Sequence, residues 1–250
     1  MTSTGEPPVI RRRDVVAAEV TKIVTNPVSV LVVIATAAVN TVLAAVDASG
    51  VRFYTAGASE PATLSSFSTL VFAPVYIFLV LPVYAAAGEH REGQLRISLL
   101  AVPDRRTLVL GKMVAMVLVV LAAATVAIAP ARLIMGPAEG AGVGARLLDP
   151  VLWTAAYAFM SVIAFGLAGL LRGAVTPLGI LITVPVVIAT GVLQWPEGLR
   201  LLPDQAALSL VGTPAFEVHE IAPGIAALVL CVWSIASLVS YALAVKYRDA

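Results

Sequence analysis

Six blocks of apolar residues divide the chain, at about residues 27–46, 64–87, 113–129, 151–171, 174–193 and 221–245. Each approaches the roughly 20 residues that a helix needs to cross the hydrocarbon core of a bilayer. The pattern therefore predicts an all-α integral membrane protein of six transmembrane helices, with residues 1–250 as one transmembrane unit. The first block opens at Asn26-Pro27, a capping side chain followed by a ring suited to the first helical position. It closes at Asp47, in a Ser- and Gly-containing loop that runs to Pro61. The second block contains Pro74 and Pro82 among Tyr76, Phe78 and Tyr84. Each proline removes an internal hydrogen bond and crowds the turn before it, so this helix is expected to kink. Kinked, aromatic-rich helices can line a pathway or simply pack, and Asn40, Phe72, Tyr76 and Tyr84 are the candidates for lining one.

Pro130 and Arg132 follow the third block and lead into the glycine-rich MGPAEGAGVGARLLDP, expected as a flexible loop. Gly140, Gly142 and Gly144 do not make a nucleotide fingerprint there, because no strand precedes them and the run has no lysine. Arg172-Gly173 is a tight hairpin before the fifth block, which has Pro177 near its start and Pro185 within it.

The polar stretches are patterned too. Met1 to Pro8 is a short polar tail without the basic start, apolar centre and cleavage site of a secretory signal. Residues 9–25 place Val16, Val20 and Ile23 on one face, Asp14, Thr21 and Lys22 on the other, and Arg11 to Arg13 at the start. That predicts an interfacial amphipathic helix, with a disordered basic tail as the alternative. Residues 88–112, GEHREGQLRISLLAVPDRRTLVLGK, carry Leu95, Leu99 and Val102 at helical spacing until Pro103 stops the run. Glu92 and Arg96 stand four apart, acid first, which supports a short amphipathic helix. Residues 194–220 hold Trp195-Pro196, the Leu201 to Val211 piece with Asp204 inside it, and Gly212-Thr213-Pro214. The Leu201 to Val211 piece is too short to span and suits an interfacial or re-entrant segment, with an ordinary loop as the alternative.

Composition sets the class firmly: 60% of residues are hydrophobic and 12% charged, against about a quarter charged in soluble domains. Mean hydropathy is +0.97. The net charge of +1 says little, but its distribution says more. With six spans, one side collects Arg11, Arg12, Arg13, Lys22, Arg91, Arg96, Arg105, Arg106, Lys112, Arg172, Lys246 and Arg248, and the other only Arg52, Arg132, Arg146 and Arg200. That asymmetry predicts both termini and residues 88–112 in the cytoplasm. Trp153 and Trp195 then fall at the outer interface, whereas Trp233 lies mid-span and is expected to pack. Cys231 is alone, so no internal disulfide forms, and His90 and His219 lie in different loops, which argues against a metal site.

The 88–112 stretch also carries a resemblance. An acidic pair, glycine, Leu-Arg-x-Ser-Leu-Leu-Ala-Val-Pro, a basic pair and a closing Gly-Lys before an apolar run resembles permeases of type 2 ATP-binding-cassette exporters, especially actinobacterial ones. The resemblance implies that Glu89 to Leu100 is a cytoplasmic coupling helix between spans two and three. Glu89, His90, Arg91, Glu92, Gln94, Leu95, Arg96 and Leu99 would contact a separate ATPase. It further implies a bacterial plasma-membrane half-transporter that pairs with itself or a sister permease and binds two ATPase subunits. ATP and Mg would sit on those subunits and no cofactor on this chain. Short outer helices dipping into the membrane between spans five and six are implied as well. A solvated loop without a partner is the plain alternative for residues 88–112.

Absences narrow the function. No GxxxxGK[ST] occurs, so this chain cannot cradle ATP phosphates in a P-loop. The six apolar blocks hold no Asp, Glu, Lys or Arg near mid-depth, which argues against an ion-coupled transporter. Glu89, His90 and Glu92 are the one compact set for membrane-enzyme chemistry, and such an enzyme should keep more. An ATP-driven importer permease is the nearer alternative. Its usual motif has paired alanines after the glutamate and lies late in the chain, whereas His90 and Arg91 follow Glu89 here. The expected activity is export of a hydrophobic drug, lipid or peptide, with the bilayer as surroundings and no role for nucleic acid.

Overall fold

The computed structural model describes residues 11–54, 60–88, 104–138, 143–190, 192, 195–213 and 221–248. Among these the chain is helical, with one isolated bridge pairing Phe53 and Ala62. Five helical runs are long and apolar enough to cross a membrane, as expected of a multi-pass membrane protein, counting the proline-broken Ser68–Ala87 as one.

Helix α1, Arg12–Val24, precedes α2, Pro27–Ala48, whose start follows the local chemistry. The Asn26 carboxamide oxygen accepts from the Val28 N–H at 2.9 Å, and Pro27 takes the first helical position. At the far end of α2, Asp47 accepts from the Ser65 N–H at 2.9 Å, tying that end to the start of the next pass. The second apolar block forms a 3₁₀ turn, Leu64–Ser66, and then three pieces, α3 (Ser68–Phe72), α4 (Pro74–Phe78) and α5 (Val80–Ala87). Prolines set the breaks. Pro74 cannot donate to the Leu70 carbonyl, which takes the Ala73 N–H at 3.2 Å instead. Pro82 likewise deprives the Phe78 carbonyl of its usual donor, and the helix resets at Leu79.

Helix α6, Arg105–Ala138, is longer at both ends than the apolar block at 113–129. Its start is fixed by Asp104, whose carboxylate accepts from the Arg106 N–H at 3.1 Å and the Thr107 hydroxyl at 2.6 Å. These bonds, the hydroxyl first, hold the Asp104 carboxyl below the usual range. Arg105, Arg106, Gly111 and Lys112 are therefore helical and not part of a loop. Helix α7, Val143–Leu171, likewise begins eight residues before the block at 151, so much of the glycine-rich stretch is helix.

Helix α8, Val175–Ala189, corrects the fifth span. Its 15 residues reach about 22 Å at 1.5 Å each, short of the roughly 30 Å hydrocarbon core. Two short helices follow, α9 (Pro196–Leu199) and α10 (Pro203–Leu210), and then α11, Pro223–Arg248.

Side-chain pairings give the helix directions. Asn40 of α2 bonds to the Ala127 carbonyl of α6, and Ala44 packs with Ala131 and Met135, so α2 and α6 run parallel. Arg132 near the end of α6 meets Asp149 near the start of α7 at 3.2 Å, so those two are antiparallel. Gly166 of α7 lies against Ser237 of α11 and Gly169 against Tyr241, so these two helices run parallel, and Phe165 packs edge-on to Tyr241 with ring centroids 5.3 Å apart. A Cβ at Gly166 would come within 2.6 Å of the Ser237 backbone, so this close parallel crossing needs glycine. Because α7 and α11 run the same way, α8 to α10 belong to the return pass between them. The shared core gathers Phe72, Phe78, Met116, Tyr157, Met160 and Phe165.

Candidate functional site

Three polar groupings are built into this apolar bundle. The first joins α1 to the start of α6. The face that α1 buries is Val15, Glu19 and Ile23, not the Val16, Val20 and Ile23 stripe expected from the pattern. Gly111 explains the shift: a Cβ there would lie 2.8 Å from Val15 Cγ1, so glycine admits the valine against α6. One turn on, Glu19 meets Lys112 at 3.3 Å. Lys112, expected at the water-exposed end of a loop, is 1% exposed. A charge so enclosed is stable only with its partner, and Glu19 also lies 4.0 Å from Lys22.

The second grouping crosses α2, α6 and α7. The Asn40 amide donates to the Ala127 carbonyl at 3.2 Å and to the Tyr157 hydroxyl at 3.0 Å. Nearby, the Arg132 guanidinium pairs with Asp149 and lies 4.3 Å from the centre of the Trp153 ring. Trp153, expected in an outer aromatic belt, is thus 3% exposed and packs 6.2 Å from Phe72.

The third lies between α7, α8, α10 and α11. Residues Asp204 to Leu210 are all buried, so the Leu201 to Val211 piece holds a helix packed into the core and not an ordinary loop. Asp204 is 3% exposed and accepts from the Gln205 side-chain amide at 2.8 Å. The Trp233 indole N–H donates to the Leu201 carbonyl at 2.9 Å and so anchors the turn before α10. Trp233 is the eleventh residue of α11, about 15 Å along that helix. The 201–204 turn therefore sits near mid-bundle, not at its end. A cavity of about 320 Å³ opens there, lined by Asp204, Trp233 and otherwise mainly apolar side chains.

The four candidates for pathway lining fall into three places. Phe72 is fully buried and packs edge-on to Tyr76, with centroids 6.2 Å apart. Asn40 joins the α2–α6–α7 hydrogen bonds, and Tyr84 is half-buried on α5 against the core. The proposed ATPase-contact residues Glu89, His90, Arg91, Glu92, Gln94, Leu95, Arg96 and Leu99 lie outside the described residues.

The sequence pattern missed Asp204 because it sits outside the apolar blocks. Its signal was an acid inside a short apolar piece directly after Pro203. Although the six apolar blocks are free of charged residues at their centres, α10 carries the Asp204 carboxyl into the protein core. Among the described residues, no three His, Cys, Asp or Glu side chains come together as a metal site. Comparison with known protein families finds no match for this chain, and comparison with curated proteins finds none.

Proposed function

We propose that the chain is the permease subunit of a type 2 ATP-binding-cassette exporter, moving a hydrophobic substrate out of a bacterial cell. It would act as a half-transporter, pairing with a second copy or a sister permease and with two ATPase subunits that hold ATP and Mg. The observation that carries this reading is the arrangement of helix ends. The parallel pairs α2 with α6 and α7 with α11 support six alternating passes, counting α8 to α10 as the fifth. The end of α5, the start of α6, the α7–α8 turn and the end of α11 then share one end of the bundle. Arg105, Arg106, Arg172 and Lys246 gather there, which supports a cytoplasmic side. Gly88 and Asp104, the described residues on either side of 89–103, lie at that end, where a coupling element would need to attach. The Glu19–Lys112 pair holds α1 beside the helix into which that segment leads, so a push on the segment would be passed to both.

In the experiment, the tagged chain is purified alone and after co-expression with the ATPase encoded beside it. Alone it should neither bind nor hydrolyse ATP; together it should copurify with two nucleotide-binding subunits and hydrolyse ATP. Leu95→Asp and Leu99→Asp should weaken the ATPase's attachment by some thirtyfold, the loss of about 2 kcal/mol at a packed anchor. Glu92→Ala should do less, because exposed ion pairs contribute about 0–1 kcal/mol. Wild-type assembly and transport in both aspartate variants would remove the coupling role.

A second reading, an ion-coupled transporter, is favoured by Asp204 alone, a buried acid beside a cavity. Transport that survives ATP depletion and collapses with the proton gradient would select it.

A further inference from the structure

The cavity at the turn before α10 is chemically lopsided. Met160 and Ile163 of α7 and Ile180 and Val184 of α8 make its walls apolar. Ser237 and Ser240 also line it, but their hydroxyls already donate to the Ser234 and Ala236 carbonyls at 2.9 and 2.8 Å. Asp204 is the single ionisable lining residue. Its described hydrogen-bond partner is the neutral Gln205, and among the described residues no arginine, lysine or histidine pairs with it. A carboxylate in such a place is costly unless a cation joins it. Trp233 adds an indole ring, the aromatic surface that attracts cations best. The walls also open sideways: Ile180 is 44% exposed and Trp233 41%. An apolar molecule dissolved among the surrounding lipid tails therefore has a lateral route in.

We propose that this cavity binds a lipophilic organic cation, its charge against Asp204 and the Trp233 ring and its apolar body against α7 and α8. The volume of about 320 Å³ suits a compact molecule of fused or linked rings. The inference rests on the transporter reading only in making that cation the cargo; the binding site itself stands on the cavity. The carboxyl enters the complex as carboxylate, so any proton it held is released to water as the cation arrives.

The test is a pair of probes on the purified full chain in nanodiscs of uncharged phosphatidylcholine, without an ATPase. Ethidium is a permanently charged ring system of suitable size, and phenanthridine is its parent ring, uncharged at neutral pH. Ethidium should bind saturably and at least tenfold more tightly than phenanthridine. Asp204→Asn keeps the shape and the acceptor for Gln205, and should weaken ethidium about tenfold, or about 1.4 kcal/mol, while leaving phenanthridine unchanged. Ile180→Trp fills the cavity from a half-exposed wall and should weaken both. Unchanged ethidium affinity in Asp204→Asn overturns the proposal, as does equal binding of the two probes to the wild type. Should Asp204→Asn not fold, the wild-type preference and Ile180→Trp decide: no preference, or no effect of the filling residue, overturns it. A positive titration supports the site even where the copurification experiment fails, and a negative one removes the site while leaving that experiment standing.

Discussion

Lys112 stands at 1% exposure with the Glu19 carboxylate at 3.3 Å, which offsets its buried charge. Removing one member of such a pair leaves an uncompensated buried charge and costs about 3–5 kcal/mol, whereas replacing both with apolar groups is often neutral. Lys112→Met should therefore lower the thermal midpoint sharply, and Glu19→Leu with Lys112→Met should recover most of the loss. Melting curves of the two single variants and the double variant check this; an additive double variant would contradict the pairing.

Among the helices, glycine placement separates close crossings from open surface. Gly166 faces the Ser237 backbone at 2.6 Å from where a Cβ would be, while nothing lies within 4 Å of the same position at Gly144. Gly166→Leu should drive α7 and α11 apart, seen as loss of folded material on size-exclusion chromatography and a lower melting midpoint. Gly144→Ala should be neutral or stabilising by up to about 1 kcal/mol, the usual helix preference for alanine. Equal effects at the two positions would refute the close crossing. Helix existence was legible because apolar blocks of membrane length have few other outcomes. The ends were less legible, since α6 starts where Asp104 caps it and not where the charges stop. The α8 boundary was missed because Val192 and its neighbours are as apolar as the helix they leave.

The arrangement of the whole molecule follows from two parallel helix pairs, each needing a return pass between its members. That places the ends of α2 and α5 at opposite faces, which single cysteines can read in intact cells. In a Cys231→Ala background, cysteine at the exposed Ser49 should react with an impermeant thiol reagent from outside, and cysteine at the exposed Arg106 should not. Reaction at both would break the alternating passes, and the reverse pattern would invert the orientation.

Local chemistry was enough to read the membrane class, the Asn26-Pro27 start and the proline breaks of the second pass, because each depends on neighbours in the chain. The candidate site was legible only in part. Asn40 and Phe72 were named from their residue types, but their partners Tyr157, Ala127 and Trp153 lie far along the sequence, and periodicity carries no information about which helices meet. Asp204 shows the same limit. An acid in a short connector reads as water-exposed until folding sets that connector against α7 and α11. Whether a charge is solvated or enclosed depends on what surrounds it in space, and for Lys112, Asp204 and Trp153 those surroundings come from packing between helices distant in the chain.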